Sequence, residues 1–376
     1  VLLINLIFFK YNNYMGKKII LFIPSIEKGG AEKNLFIISN YLSKRFESLT
    51  VISATKKAKK NFNKRIEFIC PDSEVWDIFG RGIKTIISIF FLIKKILQDR
   101  KILVLSFQSN IYAIIICKIF SINIITRSNS FPDDWANNFI KSLVFKKVLP
   151  LANKNIVNSI EIRKKFRLTY KINAKCIYNP LNRQEIIKLS KKRTKSIYNN
   201  KNILKIIHVG RFSEEKDHFT FLNALALLKK KIKFEAVIMG RGRLKKKILQ
   251  FIETNNLNKN VRILDYKKNP YPYIKQADFL VLTSLHEGLP NILLEAIVLN
   301  KFIISSNCPT GPKEILDNGR GGELFEVGNY KDLARKIIFY SKNKKIRKEK
   351  IKFALSRVNR FDYKQNLKEY FEVLKN

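Results

Sequence analysis

Two carboxylates, Glu287 and Glu295, stand with seven residues between them in the run Ser284-Leu285-His286-Glu287-Gly288-Leu289-Pro290-Asn291-Ile292-Leu293-Leu294-Glu295-Ala296. Two Glu residues on a helix are ordinarily solvated surface, and a carboxylate pair can also be the acid and base of a glycosidase. The glycosidase role fits poorly: eight helical steps of about 1.5 Å would part the pair by about 12 Å, whereas glycosidase carboxylates lie about 5–9.5 Å apart. Two carboxylates gripping different parts of one extended ligand fit better. An apolar run over 279–283 predicts a strand, and helical periodicity follows from about 291. Pro290 suits a helix start, where a missing N–H loses nothing. Glu287 is therefore expected in a tight strand-to-helix turn, beside free backbone N–H groups and the positive end of a helix dipole. Such a turn suits a ligand with both hydroxyls and phosphates, and His286, Gly288, Leu289, Pro290 and Asn291 share it.

Other strand ends carry related chemistry. His208-Val209-Gly210-Arg211-Phe212 is followed by Lys216, so a Gly turn presents two cations five residues apart. Arg and Lys so placed can clamp two phosphates, although exposed cations in a basic chain are commonly just surface. Met239-Gly240-Arg241-Gly242-Arg243 is a second strand-to-Gly turn, whose glycines let backbone approach a flat or charged group. Cys308-Pro309-Thr310-Gly311-Pro312-Lys313-Glu314 is either a turn closing over a sugar or base, or a rigid connection. Nearer the start, Gly29 and Gly30 join a strand to a helix and offer N–H groups to a phosphate. Arg127 and Asn129 follow another strand, facing either a ligand or solvent.

The elements that must position these loops alternate between short apolar runs and longer amphipathic ones, the pattern of parallel sheets with crossover helices. Strands are predicted over 19–23, 50–54, 66–69, 102–107, 122–126 and 155–158, with helices over 31–45, 85–98, 111–120 and 139–149. After a polar stretch at 188–202 the pattern restarts, with strands over 204–209, 234–239, 261–264, 279–283 and 302–305. Helices there fall near 219–230, 244–255, 271–275 and 291–299. The expected fold is α/β, two Rossmann-like doubly wound domains facing across a cleft, with ligands at the carboxyl ends of the strands. The predicted division is 1–190, a linker over 191–202, a second domain over 203–360, and a final helix in 361–376 that crosses back to the first domain.

With 376 residues, 46% of them apolar, the chain has material for two full cores. Its formal net charge is +43, and the first 200 residues hold 37 Lys+Arg against 12 Asp+Glu, so the first half is the more basic. Such charge attracts phosphorylated substrates, nucleic acid or anionic lipid, while an AT-rich coding bias would raise Lys without any functional demand. No RRM, KH or zinc signature is present and the Lys residues are scattered, so nucleic acid is not an expected partner. Cys70, Cys117, Cys176 and Cys308 form no CxxC pattern and read as buried thiols. The apolar opening is about ten residues long, short of the roughly 20 a bilayer needs. Met15 is the expected natural start, and a cytoplasmic protein, peripheral at the inner face of the cytoplasmic membrane, is the expected setting.

Taken together, EGLPNILLEA and the upstream Gly210-Arg211 and Lys216 resemble glycosyltransferase family 4 (group 1), retaining GT-B enzymes, over almost the whole chain after Met15. Within it, the chain resembles members acting on lipid-linked oligosaccharides or surface polysaccharides. The resemblance implies that Glu287 contacts hydroxyls of a donor sugar and Glu295 the ribose of its nucleotide. It implies that Arg211 and Lys216 hold the donor diphosphate, which Gly29 and Gly30 also approach. It implies transfer of a hexose or N-acetylhexosamine from a nucleotide-diphosphate sugar, UDP foremost, to a glycan or polyprenyl-diphosphate-linked acceptor. No metal or other cofactor is expected, and no DxD-like motif is evident. A sugar-nucleotide epimerase or a phosphorylase is the nearest alternative. Many members carry a His after a first-domain strand; here His208, His218 and His286 all fall in the second half, and Arg127 and Asn129 stand in that region. His208, at a strand end, reads as structural.

Overall fold

The computed structural model describes residues 16–27, 30–131, 139–200 and 202–376. Gly29, residues 1–14 and the expected start at Met15 lie outside the described residues. The chain divides into two compact units: residues up to Pro180 together with Lys364–Asn376, and Leu181–Tyr363. Residues 181–190, expected from the sequence to join the first domain, group with the second unit.

The first unit is a seven-stranded sheet of β1 (Lys18–Phe22), β2 (Ser48–Ile52), β3 (Ile66–Ile69), β4 (Ile102–Ser106), β5 (Asn123–Ser128), β6 (Lys154–Val157) and β7 (Lys175–Cys176). The order is β3-β2-β1-β4-β5-β6-β7, and every pairing is parallel. Strands covered on both faces read as unbroken apolar runs, which is how KIILF and ILVLS appear. Ile20, Phe22, Val104 and Ile124 pack against Leu92 and Ile96 of the helix Arg81–Gln98 and Ala113 and Ile114 of the helix Asn110–Ile119.

The second unit repeats the plan with β8 (Leu204–Val209), β9 (Phe234–Gly240), β10 (Val261–Asp265), β11 (Phe279–Leu282), β12 (Phe302–Ser306) and β13 (Glu323–Phe325), ordered β10-β9-β8-β11-β12-β13. Ile206, Ile238, Val281 and Ile304 from the sheet meet Phe221 and Leu225 of the helix His218–Leu228 and Leu333 and Ile337 of the helix Tyr330–Lys342. In both sheets the winding reverses beside the first strand, so the switch points lie between β1 and β4 and between β8 and β11. The β8–β11 ladder is short. Only Ile206↔Phe279 and Ile207↔Leu280 pair, whereas β8 and β9 pair at six positions. The two strands therefore part before Gly210 and Thr283, and loops leave from that split.

The final helix, Tyr363–Lys375, belongs for nearly all its length to the first unit, and a buried cation ties it there. Arg127, expected from the sequence to face a ligand or solvent, is wholly buried. Its guanidinium donates to the Tyr370 hydroxyl (Nε, 2.6 Å) and to the side-chain oxygens of Asn179 (Nη2, 2.8 Å) and Asn129. It also lies 5.3 Å from the Phe107 ring centroid. These neutral acceptors give Arg127 a structural role, and they occupy Asn129 as well. The four cysteines are unbridged thiols; Cys117 and Cys308 are buried as expected, while Cys70 and Cys176 are half-buried.

Arg127→Ala would remove the shared donor of three side chains, two of them buried. At about 1–3 kcal/mol for each of the two buried groups that lose this bond, the first unit should lose roughly 2–6 kcal/mol. Urea unfolding measures this, and a loss within about 0.5 kcal/mol of zero would contradict the role.

Candidate functional site

The β8–β11 switch point brings together the residues that the sequence singles out in the second half. After β8 the chain makes a 3-10 turn, Glu214–Lys216, and Asp217 then caps the helix His218–Leu228, accepting from the Thr220 N–H at 3.1 Å. Lys216 is thereby held just before a helix N-terminus. After β11, residues 283–290 form the loop that carries Glu287, and the helix Asn291–Val298 follows. Pro290 is the N-cap, one position earlier than a first-turn proline.

Lys216 Nζ and Glu287 Oε1 form an ion pair, with side chains only 21% and 10% exposed. Ser284 Oγ donates to the same Oε1 at 2.7 Å. Screening by salt is weak for a pair this far from solvent, and removing one partner strands the other charge. Arg211, from the same β8 loop, is exposed. Glu295 lies inside the helix, 6% exposed, with the Tyr271 hydroxyl donating to its Oε1 at 3.1 Å. The two carboxylates thus have different surroundings, one salt-bridged in a loop and one packed in a helix beside a tyrosine. His286 is exposed, Gly288 and Asn291 are half-buried, and Leu289 and Pro290 are buried.

A hydroxyl joins the two loops. Thr283 Oγ1 lies 2.9 Å from the Lys216 carbonyl and 2.8 Å from that of Asp217. His208 Nε2 approaches the same oxygen at 3.3 Å. The single hydroxyl proton goes to the carbonyls, so the imidazole must donate from Nε2 and leave Nδ1 bare. His208 and His218 are both fully buried, their rings 4.6 Å apart. Neither His208 Nδ1 nor either nitrogen of His218 has a hydrogen-bond partner. Burial, reinforced for both by the nearby Lys216 charge, holds His208 well below its ordinary value and His218 at about 4. The structural reading of His208 holds, and His218 joins it.

The glycines act differently from the expectation. A Cβ on Gly240 would meet the Gly210 carbonyl oxygen at 1.8 Å, and one on Gly242 would meet the Phe212 oxygen at 2.4 Å. The space beside them is filled by the 210–212 backbone, so these glycines first serve loop-on-loop packing. The 308–314 turn supports the Glu287 loop in the same manner. Thr310 Oγ1 donates to the Glu287 carbonyl, and Gly311, at φ +81°, would place a Cβ 2.1 Å from the Gly288 oxygen. Ser306 Oγ donates to the Ser284 carbonyl at 2.6 Å. Burial, aided by the Glu287 charge, pushes the Cys308 thiol up to about 12, so it is inert. Ser284, Thr283, Thr310 and Ser306 are small hydroxyl residues whose roles no spacing reveals. Gly30, which opens the helix Gly30–Leu42, and Arg127 and Asn129 belong to the first unit. Among the described residues, no group of three His, Cys, Asp or Glu can hold a metal ion.

Two parallel-sheet α/β units place the chain in the GT-B class of fold. Residues 190–357 match the family described as glycosyl transferases group 1. A Campylobacter jejuni protein named as an N-acetylgalactosamine-N,N'-diacetylbacillosaminyl-diphospho-undecaprenol 4-alpha-N-acetylgalactosaminyltransferase is 28% identical over 60% of each chain. An uncharacterised glycosyltransferase of Methanocaldococcus jannaschii is 32% identical over 46% of this chain and 44% of that one. The chain thus spans about half the length of the curated relatives it matches. Among solved structures, Anabaena HepE in complex with UDP and glucose superposes with a TM-score of 0.75, at 18% identity, covering 95% of this chain and 99% of that one. Sucrose-phosphate synthase from Thermosynechococcus elongatus gives 0.79, at 14% identity, over 96% and 98%. These likenesses show the fold; the family match and the relatives' names support a transferase enzyme.

The histidine pair sets a pH dependence. Both imidazoles stay neutral in the fold, whereas the unfolded chain takes up protons near pH 6.5. Stability should be level above that pH and fall as pH drops towards about 4. His218 alone should contribute a loss on the order of 3 kcal/mol. Thermal melts of His218→Phe across this range should show a shallower decline than wild type, and an identical decline would contradict the assignment.

Proposed function

We propose that the chain is a retaining glycosyltransferase of family 4. It moves a hexose or N-acetylhexosamine from a nucleotide-diphosphate sugar, UDP foremost, to a glycan or lipid-linked glycan acceptor in surface polysaccharide or glycoconjugate synthesis. The observation that carries this reading is the Lys216–Glu287 ion pair at the β8–β11 split, inside the matched domain. The UDP in the HepE structure and the diphospho-undecaprenol in the Campylobacter relative's name support the choice of donor and acceptor.

In this reading Arg211 and Lys216 bind the donor diphosphate and stabilise the charge that builds on it as the sugar leaves. Phosphate oxygens draw Lys216 Nζ away from Glu287, and the released carboxylate oxygen accepts hydrogen bonds from sugar hydroxyls, two at once from a vicinal diol. Donor binding is thus an exchange of partners in which no charge is left stranded. Glu295 faces the ribose, and the 210–212 and 240–242 backbone borders the nucleotide. No metal or further cofactor takes part, because the two cations supply the positive charge.

Thermal shift with UDP-, GDP- and ADP-sugars identifies the donor, since a ligand at about 100 times its Kd stabilises by about 2.7 kcal/mol. Glu287→Ala and Arg211→Ala should each lower transfer at least 100-fold while the protein remains folded. Full activity in either variant, or release of an epimerised free nucleotide sugar in place of transfer, would contradict the reading.

A further inference from the structure

The helix Arg81–Gln98 buries Leu92 and Ile96 in the core, yet it carries a second apolar stripe on its outer face. Its exposed stripe is Ile83, Ile86, Phe90 and Leu97, at the 3-4-7 spacing of one helical face, with Ile86, Phe90 and Leu97 exposed by 70%, 65% and 61%. Its buried residues include Lys84, Thr85 and Ser88. Lys84 donates to the Asp77 carbonyl at 2.8 Å, and Ser88 Oγ has no hydrogen-bond partner. A helix that turns polar groups inward and isoleucines and a phenylalanine outward has an outer face shaped by something beyond this fold.

The neighbouring helices continue that face. Arg81–Gln98 packs beside Asn110–Ile119, which packs beside Phe139–Val148. The middle helix exposes Tyr112, Ile115 and Ile119, again at 3-4 spacing. The third has no buried residue and exposes Phe139, Ile140, Leu143 and Val144, Phe139 by 82%. Among the described residues of the second unit the exposed large apolar residues are few and scattered, Ile187, Leu227, Leu249 and Phe339 on four different helices and Tyr266 in a loop. Isolated exposed apolar residues need no explanation, but a contiguous patch marks a docking surface.

Charge selects the occupant. The three helices contain eight Lys and Arg and no Asp or Glu. Arg81, Lys94, Lys118, Lys141, Lys146 and Lys147 stand exposed or half-buried among the apolar positions. A second copy of the same face would bring like charges together, whereas an anionic bilayer offers hydrocarbon to the apolar stripe and headgroup charge to the lysines. We propose that these three helices lay the first unit on an anionic lipid surface. The proposal deepens the reading of a lipid-linked acceptor and rests on it for its purpose. Bilayer attachment confines enzyme and acceptor to one surface, and no helix among the described residues is long and apolar enough to cross a membrane.

Vesicle flotation of the full chain tests this without any transfer assay. The wild type should float with phosphatidylglycerol-containing vesicles and bind at least tenfold more weakly to pure phosphatidylcholine. Phe90→Ser with Phe139→Ser, and separately Lys146→Glu with Lys147→Glu, should each weaken binding at least tenfold while melting as the wild type does. Glu287→Ala should float normally, so loss of transfer and loss of docking are told apart. Equal flotation of wild type and both double variants would overturn the proposal. So would absence of vesicle binding together with a wild-type dimer, seen by light scattering, that the same variants dissolve.

Discussion

The ion pair between Lys216 and Glu287 depends on two neighbouring strands of a parallel sheet letting go of one another early. Had β8 and β11 stayed paired to their ends, backbone hydrogen bonds would fill the space that their loops now use. The ladder stops after Leu280, and side chains take over. Thr283 holds the Lys216 turn by its carbonyls, Ser284 holds Glu287 by its carboxylate, and His208 donates into the junction from below. The opposite charges are left facing one another where the sheet's winding reverses, the place where doubly wound sheets bind ligands.

Rigidity around the pair comes from backbone touching backbone. Gly240 against Gly210, Gly242 against Phe212 and Gly311 against Gly288 leave no room for a side chain at any of the three contacts. Loops packed this closely constrain one another's backbone. Such a frame suits a site whose ligand must exchange places with one partner of an ion pair. The buried neutral histidines serve the same end. They fill the volume beneath Lys216 without presenting it a competing anion.

Much of this is legible in the chain, and the exceptions share a cause. Buried parallel strands announce themselves as apolar runs, and β8, β9, β11 and β12 fall where those runs lie. The two short edge strands, β7 and β13, carry too few residues to show a period. The helix Lys344–Arg357 buries only Ala354, so its sequence has no apolar face to read. Glu287 and Lys216 are recognisable from motif and strand-end position. Arg127 defeats a local reading because its burial is conferred by Tyr370, 243 residues away, which no local pattern encodes. Gly240 and Gly242 show the limit of a glycine signal, since close approach by a ligand and by another loop demand the same residue. The helix Arg81–Gln98 is visible as amphipathic, yet its outward apolar stripe is not, because apolar stripes ordinarily face a core.

The proposed division of labour assigns the diphosphate to Lys216 and the sugar to Glu287, with the two exchanging partners when a donor arrives. Calorimetric titration with UDP and with the matching UDP-sugar separates these duties. Lys216→Met should weaken both ligands at least tenfold. Glu287→Gln should leave UDP affinity close to wild type and erase whatever further affinity the sugar adds. If Lys216→Met bound UDP as tightly as the wild type does, or if Glu287→Gln weakened UDP and UDP-sugar alike, the exchange of partners at the β8–β11 split would be contradicted.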